Sequence, residues 1–281
     1  MVGRHYITIF GGLGNQLFQL SAAIILSKDR KVNLVSPFSW AKGNYKDEYH
    51  LFLENLSGLR FCSNPLVRLI SSVTTFLPSR WLDLWSLLSL NVKHEPFASE
   101  YWRAGGPTGA SFSFHTGYFQ SDHLVDSSGL AKELIRAFDL IDGSSSSIVV
   151  MHVRGGDYIP SKRLFGLLNQ EYYRNCLANT SASDGVIVIT NDRIYSAELM
   201  LGIEVEFSSD NTVLDDFRLA LDSKTFIGGN STFSWWIAKV RSQLGKDAYL
   251  PEPFFPASSS LRPGSNLLIS GVLLEKGTFR D

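Results

Sequence analysis

Apolar positions divide the chain into recognisable units. His5-Tyr-Ile-Thr-Ile-Phe10 is a β-branched and aromatic run that ends on Gly11-Gly-Leu-Gly14, after which apolar residues recur at helical spacing from Asn15 to Ser27. A second apolar run, Val32–Val35, follows. The order predicts strand, glycine turn, helix and strand, the opening of an α/β unit. The next stretch is less regular. Between Leu66 and Leu90 apolar residues mix with Arg68, Arg80 and Asp83 around a helix-breaking Pro78, which predicts two short amphipathic helices. Their apolar faces either cover a sheet or cleft or rest on a membrane surface.

From Ile148 onward the alternation is clean. Strands are predicted at Ile148–Val153, Val186–Thr190, Val205–Phe207, Thr225–Ile227 and Ala248–Leu250, the last stopped by Pro251. Helices are predicted between them at Gln170–Ala178, Ile194–Leu201, Val213–Asp222 and Ser231–Ser242. Short strands alternating with helices imply a parallel, doubly wound sheet. The composition shift at Asp142-Gly-Ser-Ser-Ser-Ser147 places a domain boundary there, giving residues 1–143 and 144–281, with a closing helix expected to pack back on the first domain. Two α/β halves joined by a short linker imply a cleft between them.

Composition narrows the classes. At about 150 residues per domain, 281 residues predict roughly two domains. With 44% hydrophobic and 19% charged residues the chain is globular, not disordered. The 26 basic and 27 acidic residues leave no surplus to neutralise a phosphate backbone, which excludes nucleic acid as the main partner. A small anion needs only a few placed cations. Cys62 and Cys176 lie far apart with no ligand at metal spacing, so a disulfide framework and a structural zinc site are excluded and two reduced, largely buried thiols are expected. Met1–Phe10 lacks the pattern of a signal peptide, and no run of 18 apolar residues occurs; a cytoplasmic location is expected. The Asn-x-Ser/Thr triplets at Asn55, Asn179 and Asn230 carry no weight in that compartment.

In an open α/β sheet, ligands bind outside the carboxyl ends of the strands. That rule selects four loops. Gly11-Gly-Leu-Gly-Asn-Gln16 exposes backbone N–H groups and the amides of Asn15 and Gln16, or is simply a tight turn; Leu17 stands where a dinucleotide fingerprint needs Gly or Ala, which argues against a nicotinamide or flavin site. Met151-His-Val-Arg-Gly-Gly-Asp-Tyr158 brings His152, Arg154 and Asp157 to the end of a buried strand. A guanidinium there can grip a diphosphate through paired hydrogen bonds, and Asp157 can orient it or receive a proton from an acceptor hydroxyl. Thr190-Asn191-Asp192 holds either a helix cap or an acid for a ribose or base. Ile227-Gly-Gly-Asn-Ser-Thr-Phe-Ser-Trp-Trp236 puts Asn230, Ser231 and Thr232 at a helix N-terminus, a phosphate cradle in outline without the Lys of a P-loop; Trp235 and Trp236 are expected to pack the helix on the sheet. No Asp-x-Asp occurs, and Asp215-Asp216 points two ways from a helix, so the charge of a leaving diphosphate falls to Arg and N–H groups without a metal.

Gly11-Gly-Leu-Gly-Asn-Gln-Leu-Phe-Gln19, His152-Val-Arg-Gly-Gly-Asp-Tyr158, Glu171-Tyr-Tyr173, Asn230-Ser-Thr-Phe-Ser-Trp-Trp236 and Gly117-Tyr-Phe-Gln-Ser121 together resemble the alpha-1,2-fucosyltransferases of bacterial type, in order and spacing, from Phe10 to about Pro256. The resemblance implies a GT-B fold, two Rossmann-like domains facing a cleft. The second domain would bind GDP-fucose and the first would shape the acceptor site. It implies metal-independent, inverting transfer from GDP-β-L-fucose to the 2-hydroxyl of a galactose-containing glycan, lipid-linked in O-antigen or capsule synthesis, with peripheral contact at the inner face of the membrane. Arg154 would contact the diphosphate with His152 beside it, Ser231 and Thr232 would receive the phosphates, and Asn15 would reach across from the first domain. One departure stands out: the family usually reads His-x-Arg-Arg-x-Asp, and the second Arg is Gly155 here. That removes a cation and bears on donor affinity and donor identity. Transfer from another GDP-deoxyhexose, and a non-catalytic sugar-nucleotide or glycan-binding protein on the same scaffold, are the alternative readings. Acceptor specificity is expected between Trp40 and Phe119.

Overall fold

The computed structural model of the protein describes residues 4–38, 49–76, 90–95, 112–140, 146–180, 184–259 and 267–280. The chain divides into two compact units, Met1–Glu133 and Leu134–Asp281. That division lies upstream of the Asp142–Ser147 composition shift.

The first unit holds a four-stranded sheet of β1 (Arg4–Thr8), β2 (Lys31–Val35), β3 (Leu90–Glu95) and β4 (Phe112–Gly117), ordered β2-β1-β4-β3 and parallel throughout. Helix α1 (Leu13–Ser27) starts directly after the glycine turn and buries Leu17, Phe18, Leu20, Ala22 and Ala23 completely. Its Gln19 clamps the ends of two strands: Oε1 accepts from Phe10 N at 2.8 Å, and Nε2 donates to the Gly117 carbonyl at 3.0 Å. Helices α2 (His50–Ser57), α3 (Pro65–Phe76), α4 (Asp122–Ser128) and α5 (Leu130–Ala137) follow, the last continuing into the second unit. The first of the two helices expected after Leu66 is α3; residues 77–89 lie outside the described ones. Its faces run against the simple pattern, for Leu66 and Leu69 are exposed while Ser71, Ser72 and Thr74 are buried, with Ser71 Oγ 2.9 Å from Thr8 Oγ1.

Strands β3 and β4 were not predicted. Strand β4 buries Ser113, His115 and Thr116, polar residues that disguise it. They are accommodated by partners: His115 Nε2 lies 3.1 Å from His5 Nδ1, the two rings stacked at 5.4 Å.

The second unit is a six-stranded parallel sheet of β5 (Val149–Val153), β6 (Val186–Thr190), β7 (Glu206–Phe207), β8 (Thr225–Ile227), β9 (Ala248–Glu252) and β10 (Leu273–Lys276), ordered β10-β9-β8-β5-β6-β7. Helices α6 (Lys162–Phe165), α7 (Gln170–Ala178), α8 (Arg193–Leu199), α9 (Val213–Asp222) and α10 (Thr232–Gln243) connect them. Every residue of β5 is buried, as a central strand covered on both faces must be. From β5 the chain builds outward through β6 and β7, then returns to lay β8 on the other flank of β5. The strand order therefore reverses between β5 and β8, and the carboxyl ends of those strands are where such sheets take ligands.

Trp235 and Trp236 are fully buried and meet edge to face at 5.5 Å. Cys176 is buried and Cys62 half-buried, both as free thiols. One expectation is corrected. Pro251 does not stop the last strand: β9 runs on to Glu252, because its pairing with β8 already ends at Tyr249 and Pro251 lies opposite Glu275 of β10. A closing helix is absent from the described residues after β9, which form β10 at the edge of the sheet instead. Leu273 and Leu274 are both exposed, so this edge strand lacks the alternation that announces one.

Arg241 ties the second unit together. It is fully buried on α10. Nη1 donates to the carbonyls of Ala220, Leu221 and Ser223, Nη2 to those of Lys224 and Asp247, and Nε again to Asp247. The end of α9 and the starts of β8 and β9 thus share one side chain, whose charge complements the helix C-terminus. Among the described residues no helix is long and apolar enough to cross a membrane.

Candidate active site

The loop that leaves β5 is built around one glycine pair and three polar side chains. Arg154 emerges just past the strand, and its Nη2 donates to Asp157 Oδ2 at 2.8 Å. Asp157 Oδ1 accepts from Asn191 Nδ2 at 3.0 Å, and Asn191 Oδ1 accepts from Gly155 N at 3.1 Å. Asp192 caps α8, accepting from Tyr195 N at 3.0 Å with one oxygen and from Gly156 N at 3.1 Å with the other. Asn191 and Asp192, at the end of β6, therefore hold the Gly155–Asp157 turn in place, and the cap reading applies to Asp192. Arg154 also lies over the Tyr158 ring, 5.3 Å from its centroid, and its Nε is buried with no hydrogen-bond partner among the described residues. A buried guanidinium N–H is costly without an acceptor, and the described residues supply none for this one.

Gly155 is required by its surroundings. A Cβ there would stand 2.6 Å from Cδ1 of Tyr195 and 3.1 Å from Cβ of Asp192. An arginine at this position would have to displace the buried Tyr195 ring, which accounts physically for the glycine.

The second wall is the start of α10. A Cβ on Gly229 would lie 2.9 Å from the His152 carbonyl oxygen, so only a glycine lets β8 end this close to β5. Ser231 caps α10 by accepting from Ser234 N at 3.1 Å. Asn230 is buried and donates to the Phe165 carbonyl at 2.7 Å, which ties α6 to this turn rather than leaving the amide at the surface. Thr232, half-buried, opens the helix. Beyond Ser234, whose N–H is capped, the first-turn N–H groups of Thr232 and Phe233 have no backbone partner among the described residues, and no acidic residue sits in that turn.

His152 joins the two walls from beneath. Its Nδ1 is 2.6 Å from Ser234 Oγ and 3.4 Å from Ser231 Oγ. Burial, aided by the Arg154 charge, pushes the imidazole down to about 3, so it is neutral at working pH. The sign of the linkage follows: the unfolded chain takes up this proton near pH 6.5 and the folded one does not, so stability present at neutral pH falls as acid is added. We expect His152 to cost about 2 kcal/mol between about pH 7 and pH 5. Thermal melts across that range should be flatter for His152→Asn than for the parent; parallel curves would show the imidazole to be charged in the fold.

Four tyrosines complete the frame and were not assigned a role from the sequence. Tyr172 OH donates to the Gly228 carbonyl at 2.7 Å and Tyr173 OH to that of His152 at 3.3 Å, holding the ends of β8 and β5 from α7. Tyr158 OH donates to the Asn230 carbonyl at 3.3 Å. Tyr195 packs against Gly155. Glu171-Tyr-Tyr173 stood out as a motif, but paired tyrosines in a helix read as core until their hydroxyl partners are known.

Asn15 and Gln16 belong to the first unit. Asn15 Oδ1 accepts from Gln120 Nε2 at 3.2 Å, and Gln16 is buried, donating to the Gly11 carbonyl at 2.8 Å, with no partner for its Oε1 among the described residues. Phe119, beside Gln120, is buried with φ of 52°, a left-handed conformation rare for a bulky residue. Among the described residues no three His, Cys, Asp or Glu side chains converge as a metal site would require.

The chain is similar to several known proteins. An Escherichia coli alpha-1,2-colitosyltransferase is 26% identical over 270 residues, covering 87% of this chain and 90% of that protein. The E. coli O-antigen biosynthesis glycosyltransferase WbnK is 23% identical over 299 residues, covering 90% and 96%. Among solved structures, the fucosyltransferase NodZ from Bradyrhizobium superposes with a TM-score of 0.50 at 15% identity, over 85% of this chain and 92% of NodZ, a likeness of fold. The family model of glycosyl transferase family 11 matches residues 98–260, which span the Arg154 loop, its β6 supports and the start of α10. With that match over more than half its length, the chain belongs to glycosyl transferase family 11 and is a glycosyltransferase.

Proposed function

We propose that the protein is an inverting transferase of GT-B type that moves L-fucose from GDP-β-L-fucose to the 2-hydroxyl of a galactoside, in alpha-1,2 linkage and without a metal. The observation that carries the reading is the meeting of Arg154 and the N-terminus of α10 at the reversal point between β5 and β8. In that position a diphosphate receives a guanidinium from one side and the N–H groups of Thr232 and Phe233 from the other. The name of the E. coli colitosyltransferase supports the alpha-1,2 linkage. It also favours a second reading, transfer of a different GDP-deoxyhexose to the same position.

The acceptor oxygen attacks the anomeric carbon as the bond to the β-phosphate oxygen breaks. Negative charge grows on the departing diphosphate, where Arg154 and the α10 dipole oppose it. Asp157 engages both its oxygens, one with Arg154 and one with Asn191, and its part is to aim the guanidinium. The acceptor proton then passes to the departing phosphate.

A screen of galactosides with GDP-fucose, with the product linkage determined, tests the assignment. The expected product is the alpha-1,2 fucoside; no GDP release with any galactoside would defeat it, and faster turnover of another GDP-deoxyhexose would favour the second reading. Transfer should continue in excess EDTA, since the counter-charges are side chains and N–H groups. Strict dependence on added manganese would rule out the metal-free mechanism.

A further inference from the structure

The charges fixed around the Arg154 turn do not suffice for a diphosphate. Arg154 is matched by Asp157 at 2.8 Å, and the Asp192 carboxylate adds a second negative group 3.1 Å from Gly156 N. His152 contributes no charge. One cation and two carboxylates therefore surround a turn assigned to a ligand with two or more negative charges, and a further cation is needed for balance.

We propose that Arg280 supplies that cation, reaching the donor diphosphate from the ring of Tyr195, which it shares with Gly155. The inference rests on the reading of this turn as a diphosphate site and adds a residue from a distant part of the chain. Its guanidinium carbon stands over the Tyr195 ring, 5.5 Å from the centroid, and that ring is the group against which Gly155 packs. Arg280 is exposed and has no carboxylate within ion-pair distance among the described residues, so its charge is available. Its backbone is held: Arg280 N donates to the Leu167 carbonyl at 2.8 Å, and Asn169 N donates to the Thr278 carbonyl at 2.9 Å. Phe279 between them packs where Gly166 and Gly277 carry no side chain. Those contacts place the residue beside the N-terminus of α7, at the carboxyl end of the sheet, the end on which Arg154 and α10 open. A flat cation resting on an aromatic face is oriented without being neutralised.

Calorimetric titration of GDP into the full chain tests this directly. Arg280→Gln removes the charge while keeping a polar, hydrogen-bonding side chain, and Arg280→Lys keeps the charge; melting curves establish that each is folded. We expect Arg280→Gln to weaken GDP binding about tenfold, with a shallower salt dependence, and Arg280→Lys to recover part of the loss. KM for the donor should rise in step while kcat changes less. Arg154→Ala is run alongside. If it abolishes GDP binding while Arg280→Gln stays within twofold of the parent, Arg280 is not part of the site and the diphosphate reading stands. If neither variant weakens GDP, both the reading and the proposal fall.

Discussion

Replacing Arg154 by alanine is expected to lower turnover at saturating donor about a hundredfold, corresponding to about 3 kcal/mol of lost transition-state stabilisation. Two effects add. The cation facing the departing diphosphate is gone, and Asp157, released from its 2.8 Å partner, becomes an uncompensated carboxylate facing the same anion. Arg154→Lys keeps the charge but cannot satisfy Asp157 and a phosphate with one planar fork, so it too should be badly impaired. Adding Asp157→Asn to Arg154→Ala should return part of the donor affinity by removing the repulsion. Folding should be near normal, since the Arg154 side chain is 29% exposed and its ion pair is a surface one. Steady-state rates with melting curves on the same preparations decide the matter. Retention of more than about a tenth of the parental turnover would make the loop structural.

The largest expected loss of stability comes from Arg241. Alanine at this position leaves the carbonyls at the end of α9 and the starts of β8 and β9 buried without their shared donor. Removing one side of a buried charged network costs about 4 kcal/mol, or roughly ten degrees in Tm for a chain of this size. Arg241→Lys should rescue little, because one ammonium cannot span carbonyls that the guanidinium reaches with three nitrogens. Thermal and denaturant unfolding followed by circular dichroism measure both. A Tm within two degrees of the parent would mean that water replaces the side chain.

The second unit was largely legible in the sequence because its inner strands are apolar runs, β5 and β8 buried throughout. Val186–Thr190 and Thr225–Ile227 could be bounded to the residue from apolar runs alone. The same reading passed over β4, whose His115 and Thr116 are buried polar groups matched by partners on distant segments, and β10, whose leucines face outward. At the site, Arg154 and Asp157 were visible as polar residues closing an apolar strand. Asn230 was visible as part of a phosphate cradle and Asp192 as either a cap or an acid for a ribose or base; their hydrogen bonds to Phe165 and to Gly156 and Tyr195 are spatial facts that no local spacing encodes. Tyr195, and Arg280 that stacks on it, were passed over. An aromatic residue one turn into a helix and a basic residue after an edge strand carry no local signal of chemistry.

The pairing of residues 278–280 with residues 167–169 sets an order of events during folding. Asn169 waits for Thr278 across 109 positions, with both backbone and side-chain contacts to gain, and Leu167 waits for Arg280. Contacts that distant form late, after the intervening strands have found their register. A folding chain can pair β10 with β9 and complete the parallel sheet before these contacts form, while the segment joining the Arg154 turn to α7 still has unpaired backbone groups. Competence to act would therefore trail compactness, and a nick or premature stop between Lys276 and Thr278 would yield a molecule that passes for folded by its sheet content while the approach to α7 stays open.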